Sequence, residues 1–275
     1  MTVWFITGAS RGLGAQIARI ALDKGADVAV GVRNPERLPA DIAERAFAVH
    51  LDVTRTEAIP GAVESVVQRF GRIDVLVNNA GRGLLGALEE VTDAEARSLF
   101  DLNVFGLINV TRAVLPHMRA AGGGKLVHIG SRSGFEGEPG VGLYSASKFA
   151  VAGISEALSA ELAPFGIQSL VVEPGVFRTD FLDESSLSVP ARRIDAYDGT
   201  PAHDTLDWVD DANHTQLGDP VKGAALIYEV AAADKLPRHL LLGRDAVERW
   251  RVKADRMADD LAAWEEKSLA TAHTD

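Results

Sequence analysis

From residue 3 to about residue 243, short apolar runs alternate with longer stretches in which apolar positions recur every three or four residues. The runs are VWFIT (3–7), DVAVGV (27–32), AFAVHL (46–51), DVLVNN (74–79), KLVHIGS (125–131), QSLVVE (168–173) and HLLLG (239–243). Their length and β-branched content predict strands. The intervening stretches 12–24, 56–70, 95–121, 145–163 and 220–234 are long enough for helices. The strands are apolar throughout instead of alternating, as happens when both faces of a sheet are covered. The pattern predicts a single α/β domain over 1–243, a doubly wound, seven-stranded parallel sheet with helices on both faces.

Two stretches break this rhythm. Residues 181–218 are polar and acidic with scattered Leu187, Val189, Tyr197 and Trp208, and a loop of that length in a compact domain reads as a lid or substrate loop. Residues 244–275 form a C-terminal helical extension and tail, in which Val247, Trp250, Ala254, Met257, Leu261 and Trp264 recur at intervals of three and four. That spacing predicts an amphipathic helix with a narrow seam over 244–267. The seam packs on its own domain in the first reading and against another subunit in the second.

Composition narrows the function classes. Of 275 residues 47% are hydrophobic and 24% charged, enough to bury a sizeable core. There is no cysteine, so disulfides and thiolate metal sites are excluded, and a reducing, cytoplasmic location is expected. The N-terminus has no basic stretch leading into a long apolar one, and no uninterrupted apolar run approaches the ~18 residues of a membrane span, so no membrane association is expected. The formal charge of −11 repels phosphate backbones, and nucleic acid is not an expected partner.

Directly after the first strand comes TGASRGLG, with Gly8, Gly12 and Gly14, and a helical pattern follows at once. Strand, glycine turn and helix in that order aim backbone N–H groups and a helix dipole at a bound phosphate. Gly8 would allow the tight turn, Gly12 close approach of the ligand, and Gly14 packing of helix on strand. The second strand ends at Arg33 and Asn34, where a carboxylate would hold the ribose 2′-hydroxyl of NAD and an arginine the 2′-phosphate of NADP. With Ser10, Arg11 and Leu13 in the turn, and since arginine pairs with phosphate through charge-assisted bonds, the expected cofactor is NADP(H).

YSASK (144–148) places a phenol and an ammonium group four residues apart. On a helix these positions share a face about 5–6 Å apart at Cβ, and a cation there favours phenolate. Alone, the pair reads as an ordinary helix with one buried tyrosine and one solvated lysine. None of the seven histidines forms a metal-ligand pair, so no metal is expected, and His50 and His128 fall within predicted strands as core or near-core residues. The serine of IGSRSG has no glycines at the G-x-S-x-G elbow positions, which argues against reading Ser131 as a hydrolase nucleophile.

Together the chain to about residue 243 resembles the short-chain dehydrogenase/reductase family. The resemblance rests on TGASRGLG, LDVT (51–54), NNAG (78–81), the asparagine of DLNVFG (101–106), the serine of IGSRSG (129–134), YSASK and PGVFRT (174–179), in that order. It implies a Rossmann-like fold and hydride exchange between a nicotinamide and a carbonyl or alcohol. By the same resemblance Asp52 and Val53 would lie against the adenine, and Asn78, Asn79, Ala80 and Gly81 would border the adenosine. Asn103 would hold a water in a proton relay. Ser131, Tyr144 and Lys148 would complete the catalytic set, with Lys148 also on the nicotinamide ribose. Pro174, Gly175, Val176 and Thr179 would surround the nicotinamide. Tyr144 would act as acid in reduction, with Lys148 lowering its pKa, and Ser131 would donate to the substrate oxygen. Arg132 is bulkier and more charged than expected beside Ser131.

Leu84, Leu85, Phe135 and Val141 are the expected apolar substrate contacts, beside Ser131 and Tyr144. The expected activity is that of an NADP(H)-dependent carbonyl reductase acting on a small-molecule ketone, aldehyde or alcohol, in a homodimer or homotetramer. The alternatives are a catalytically silent NADP-binding redox sensor and an enoyl reductase, in which the tyrosine and lysine stand further apart.

Overall fold

The computed structural model describes residues 1–273. Residues 274 and 275, the end of the expected tail, lie outside the described residues. Seven strands form one sheet: β1 (Val3–Thr7), β2 (Asp27–Val32), β3 (Phe47–His50), β4 (Val75–Asn78), β5 (Gly124–Ile129), β6 (Ile167–Pro174) and β7 (His239–Leu242). They lie in the order β3-β2-β1-β4-β5-β6-β7, all parallel. The chain winds outward from β1 to β3 and returns to place β4 beside β1, with Trp4 opposite Val75 and Ile6 opposite Val77. In a sheet of this kind, ligands bind at the carboxyl ends of the strands where the order reverses.

Alternate side chains of each apolar strand feed two separate cores. Trp4, Ile6, Val28, Val30, Val75 and Val77 face α1 (Gly12–Asp23) and a later helix at Pro220–Ala232. Phe5, Ala29, Leu76 and Leu126 face the helices at Ile59–Phe70 and Leu107–Ala120. Burial on both faces is why the strands show no polar alternation. The continuous helical run Asp93–Ala120 has the length and apolarity of a membrane span. Here Leu99, Val110, Val114 and Met118 on that run are buried in the protein.

Three expectations change. His50 ends β3 at the sheet edge with its side chain exposed, whereas His128 in central β5 is fully buried. The 181–218 stretch is not a plain loop. It contains a two-residue strand, Leu187–Ser188, paired in parallel with Gly83–Leu84, and a helix at Pro201–Ala212 with proline in its first turn. The C-terminal helix runs Arg244–Leu269 with Ala246 as its buried residue, and its seam does not pack on its own domain: Trp250, Met257, Leu261 and Trp264 are exposed.

Candidate active site

The carboxyl ends of β1 and β4 are held together by side chains that the sheet alone does not require. Asn79 donates through Nδ2 to the carbonyls of Thr7 (3.0 Å) and Gly8 (2.9 Å), while Thr7 Oγ1 accepts from the backbone N–H groups of Asn79 (3.1 Å) and Ala80 (3.2 Å). Gly8 sits at φ 71° with its Cα against Ala80, so a side chain there would be strained and would collide. A Cβ on Gly14 would strike the Asn79 amide. The turn therefore stays tight, and α1 opens at Gly12 with its first N–H groups toward the crevice.

That crevice is a cavity of about 1330 Å³. A pocket for one drug-sized ligand is ~300–1,000 Å³, so this one has room for a dinucleotide beside a substrate. Gly8, Ser10, Arg11, Gly12 and Leu13 line one wall. Arg33, Asn34, Asp52 and Val53 line the far end, joined by Arg37 from the turn Pro35–Arg37. Sequence reading missed Arg37, although its position four residues beyond Arg33 was a usable signal. Burial pushes the Asp52 carboxyl up, but hydrogen bonds from Thr54 (3.0 Å from N, 2.7 Å from Oγ1) and the nearby Arg33 and Arg55 charges hold it below the usual range. Backbone donors at a helix start and two arginines at the far end suit the phosphates of a dinucleotide. Arg11 also has a partner within the protein: its guanidinium reaches across to Ser185, 2.6 Å to both Oγ and the carbonyl, and ties the glycine turn to the 181–218 segment.

The opposite wall carries Ser131, Tyr144 and Lys148. Tyr144 and Lys148 lie in the first turns of the helix Gly142–Glu161, and Ser131 follows β5 directly. The Lys148 ammonium stands 5.8 Å from the Tyr144 ring centroid and donates to the Ile129 carbonyl at 2.8 Å. The expected direction of the phenol's shift is overturned. Burial pushes Tyr144 up to about 12, opposed by a hydrogen bond with Ser131 and by the Arg132 charge. Burial also brings the Lys148 ammonium down to about 8. Desolvation outweighs the helical pairing that the spacing suggested.

Several expected contacts stand behind the cavity wall. Asn103 lies in a π-helical turn, Asp101–Gly106, and its amide clamps Arg82, accepting from the backbone N–H (2.9 Å) and donating to the carbonyl (2.9 Å) and to Ser147 Oγ (3.2 Å). It positions the segment around Gly81, whose Cβ direction meets Asn103 at 3.2 Å and Lys148 Nζ at 3.7 Å. Asn78 is buried against Thr111 and His128. Gly14 and Phe135 also fall outside the lining, whereas Asn79, Ala80, Gly81, Leu84, Leu85, Val141, Pro174, Gly175, Val176 and Thr179 belong to it.

The 181–218 segment lines the cavity with Phe181, Leu182, Leu187, Trp208 and Val209. It is fastened by a buried pair that sequence spacing cannot show. His203 Nε2 lies 2.8 Å from Glu90 Oε1, both side chains are 2% exposed, and the Glu90 carboxylate also accepts from the N–H groups of Ala87 and Ile194. At the mouth Arg132 bridges Glu138 and Asp245, each at 3.4 Å, and Arg249 of the C-terminal helix meets Glu138 at 2.6 Å. This pairing gives the large residue beside Ser131 a place: its charge is neutralised at the rim.

The family model described as short chain dehydrogenase matches residues 2–189. Among curated relatives, Oxidoreductase BOA17 of Botryotinia fuckeliana is 37% identical over 274 residues, 98% of this chain and 99% of the relative. The 3-ketodihydrosphingosine reductase of Bacteroides thetaiotaomicron is 43% identical over 183 residues, 66% of each. A solved short-chain dehydrogenase from Streptomyces avermitilis is 41% identical, superimposes with a TM-score of 0.92 and is matched over 99% of both chains.

Proposed function

The chain belongs to the short-chain dehydrogenase family, and from that premise we propose that it is an NADP(H)-dependent carbonyl reductase, turning a ketone with an apolar body into a secondary alcohol. One observation carries this reading: Ser131, Tyr144 and Lys148 converge on the same cavity as the glycine turn. The reduced nicotinamide, when bound, supplies the hydride. The protein's part is to receive the charge that develops on the substrate oxygen. Ser131 and Tyr144 hydroxyls offer hydrogen bonds to that oxygen, and the Tyr144 proton moves onto it. The phenolate left behind is stabilised by the Lys148 ammonium, which the Ile129 carbonyl holds in place.

At about 12 the Tyr144 phenol keeps its proton at neutral pH, the form that donates to the substrate oxygen. Arg33 and Arg37 support NADP(H) over NAD(H) through bonds to a 2′-phosphate. Leu84, Leu85, Val141, Leu187 and Val209 wall the substrate end and favour an apolar chain or ring system next to the carbonyl. A relative named 3-ketodihydrosphingosine reductase is by its name a keto reductase. The test is initial-rate NADPH oxidation over ketones graded in apolar size, repeated with NADH. Turnover that rises with apolar size and prefers NADPH supports the proposal, and inactivity of protein that binds NADPH tightly overturns it.

A further inference from the structure

The C-terminal helix Arg244–Leu269 has two unlike halves and two unlike faces. On one face Asp245, Arg249 and Arg256 tie its first half to the body: Asp245 accepts from the N–H of Val176 beyond β6 at 2.9 Å, and in the loop behind Ser131 Arg249 meets Glu138 at 2.6 Å and Arg256 meets Glu136 at 3.0 Å. From residue 257 onward every described residue is exposed, so the second half projects from the body. Isolated helices shorter than ~12–15 residues are marginal in water. This one nevertheless presents Met257 (58% exposed), Leu261 (60%) and Trp264 (61%) along one line.

That line continues the spacing of Val247, Trp250 and Ala254, at intervals of three, four, three, four and three, which is the repeat of a two-helix seam. We propose that this helix pairs antiparallel with its counterpart in a second copy of the chain, each projecting half lying across the other's docked half. In that register Val247 meets Trp264 of the second copy, Trp250 meets Leu261, and Ala254 meets Met257, so large residues face smaller ones in symmetric layers. The flanking charges select the orientation. The antiparallel register brings Lys253 beside Asp260 of the second copy, twice by symmetry. A parallel one brings Asp260 beside Glu265, two like charges. A membrane surface is the poorer occupant, because the free half carries Asp259, Asp260, Glu265 and Glu266 where anionic lipid attracts lysine and arginine.

The pairing does not rest on the hydride-transfer reading and is tested without cofactor. The chain has no cysteine, so Trp250→Cys and Leu261→Cys variants each carry a single thiol. Co-expressed and mildly oxidised, the two should give a covalent dimer containing one of each. Either variant alone should give none, since like positions then lie 11 residues, roughly 16 Å, apart along the helix axis. Failure of the mixture to cross-link, or cross-linking of each variant with itself, overturns the proposal. Sedimentation of intact protein gives a second reading that leaves the seam untouched. Lys253→Asp should weaken one assembly step at least tenfold and Lys253→Asp with Asp260→Lys should restore it, whereas identical sedimentation of all three proteins contradicts the register.

Discussion

Lys148 should make activity and stability move in opposite directions with pH. Its ammonium is held at about 8 by burial, and at 5.8 Å from the Tyr144 ring a unit charge contributes about 3 kcal/mol to phenolate stability at an effective dielectric near ~20. That corresponds to roughly 100-fold in rate. For reduction, kcat/KM should be flat below about pH 7, fall through an inflection near 8, and level off roughly 100-fold lower near pH 10. Tyr144, at about 12, stays protonated throughout.

Folding responds with the other sign. The folded pKa of Lys148 lies below its ordinary 10.5, so between about 8 and 10.5 the unfolded chain binds more protons and stability rises with pH. The gain attributable to Lys148 is about 2–3 kcal/mol between pH 8 and 10. The Tyr144 shift, from 10.0 to about 12, opposes it only above pH 10. Initial rates of NADPH oxidation and urea unfolding, read at the same pH values for wild type and Lys148→Arg, check both arms. Arginine stays charged, so the variant should lose the inflection near 8 in both. A wild-type rate that does not change from pH 7 to 10, or a Lys148→Arg profile with the same inflection, would refute the reasoning.

Two further outcomes are expected. Arg33→Asp should lower the NADP-over-NAD preference in kcat/KM by about 10–100-fold, the value of one lost charged hydrogen bond of ~1.5–3 kcal/mol; an unchanged ratio would place the phosphate pocket elsewhere. In the lid, the Glu90 hydrogen bond raises the His203 pKa above the ordinary 6.5; burial pushes Glu90 up, but bonds from Ile194, His203 and Ala87 hold it below 4.5. His203 therefore contributes fully below 6.5 and is lost as pH rises through its folded value, while Glu90 contributes above 4.5 and is lost as pH falls through its own. Limited proteolysis within 181–218 should be slowest between pH 4.5 and 6.5, and Glu90→Gln should flatten that minimum. A wild-type cleavage rate that is constant across pH 4 to 8 would dispose of the lock.

Strands β1 and β2 were legible to the residue because local apolar continuity and parallel burial say the same thing. The helix Pro201–Ala212 was not, since PAHDTLDWVDDA is acidic and its main anchor, Glu90, lies 113 residues from His203. The π-helical turn around Asn103 carries no local signature that separates it from the α-helices on either side. At the site, residue types and spacing disclosed Tyr144 and Lys148 but misjudged the phenol's ionisation. The helical spacing of the pair is local, whereas desolvation depends on Phe181, Leu84 and Leu99 arriving from elsewhere in the chain. The bond from Arg11 to Ser185 was not legible either, because its partner is 174 residues away.

The most direct test of the account is Tyr144→Phe, followed by NADPH binding through protein fluorescence and by ketone turnover on the same preparation. The expected result is NADPH affinity within about twofold of wild type with turnover reduced by 10²-fold or more, the range of a lost general acid. Turnover that survives the loss of the phenol oxygen would contradict the assignment of Tyr144 as the proton donor and the mechanism built on it.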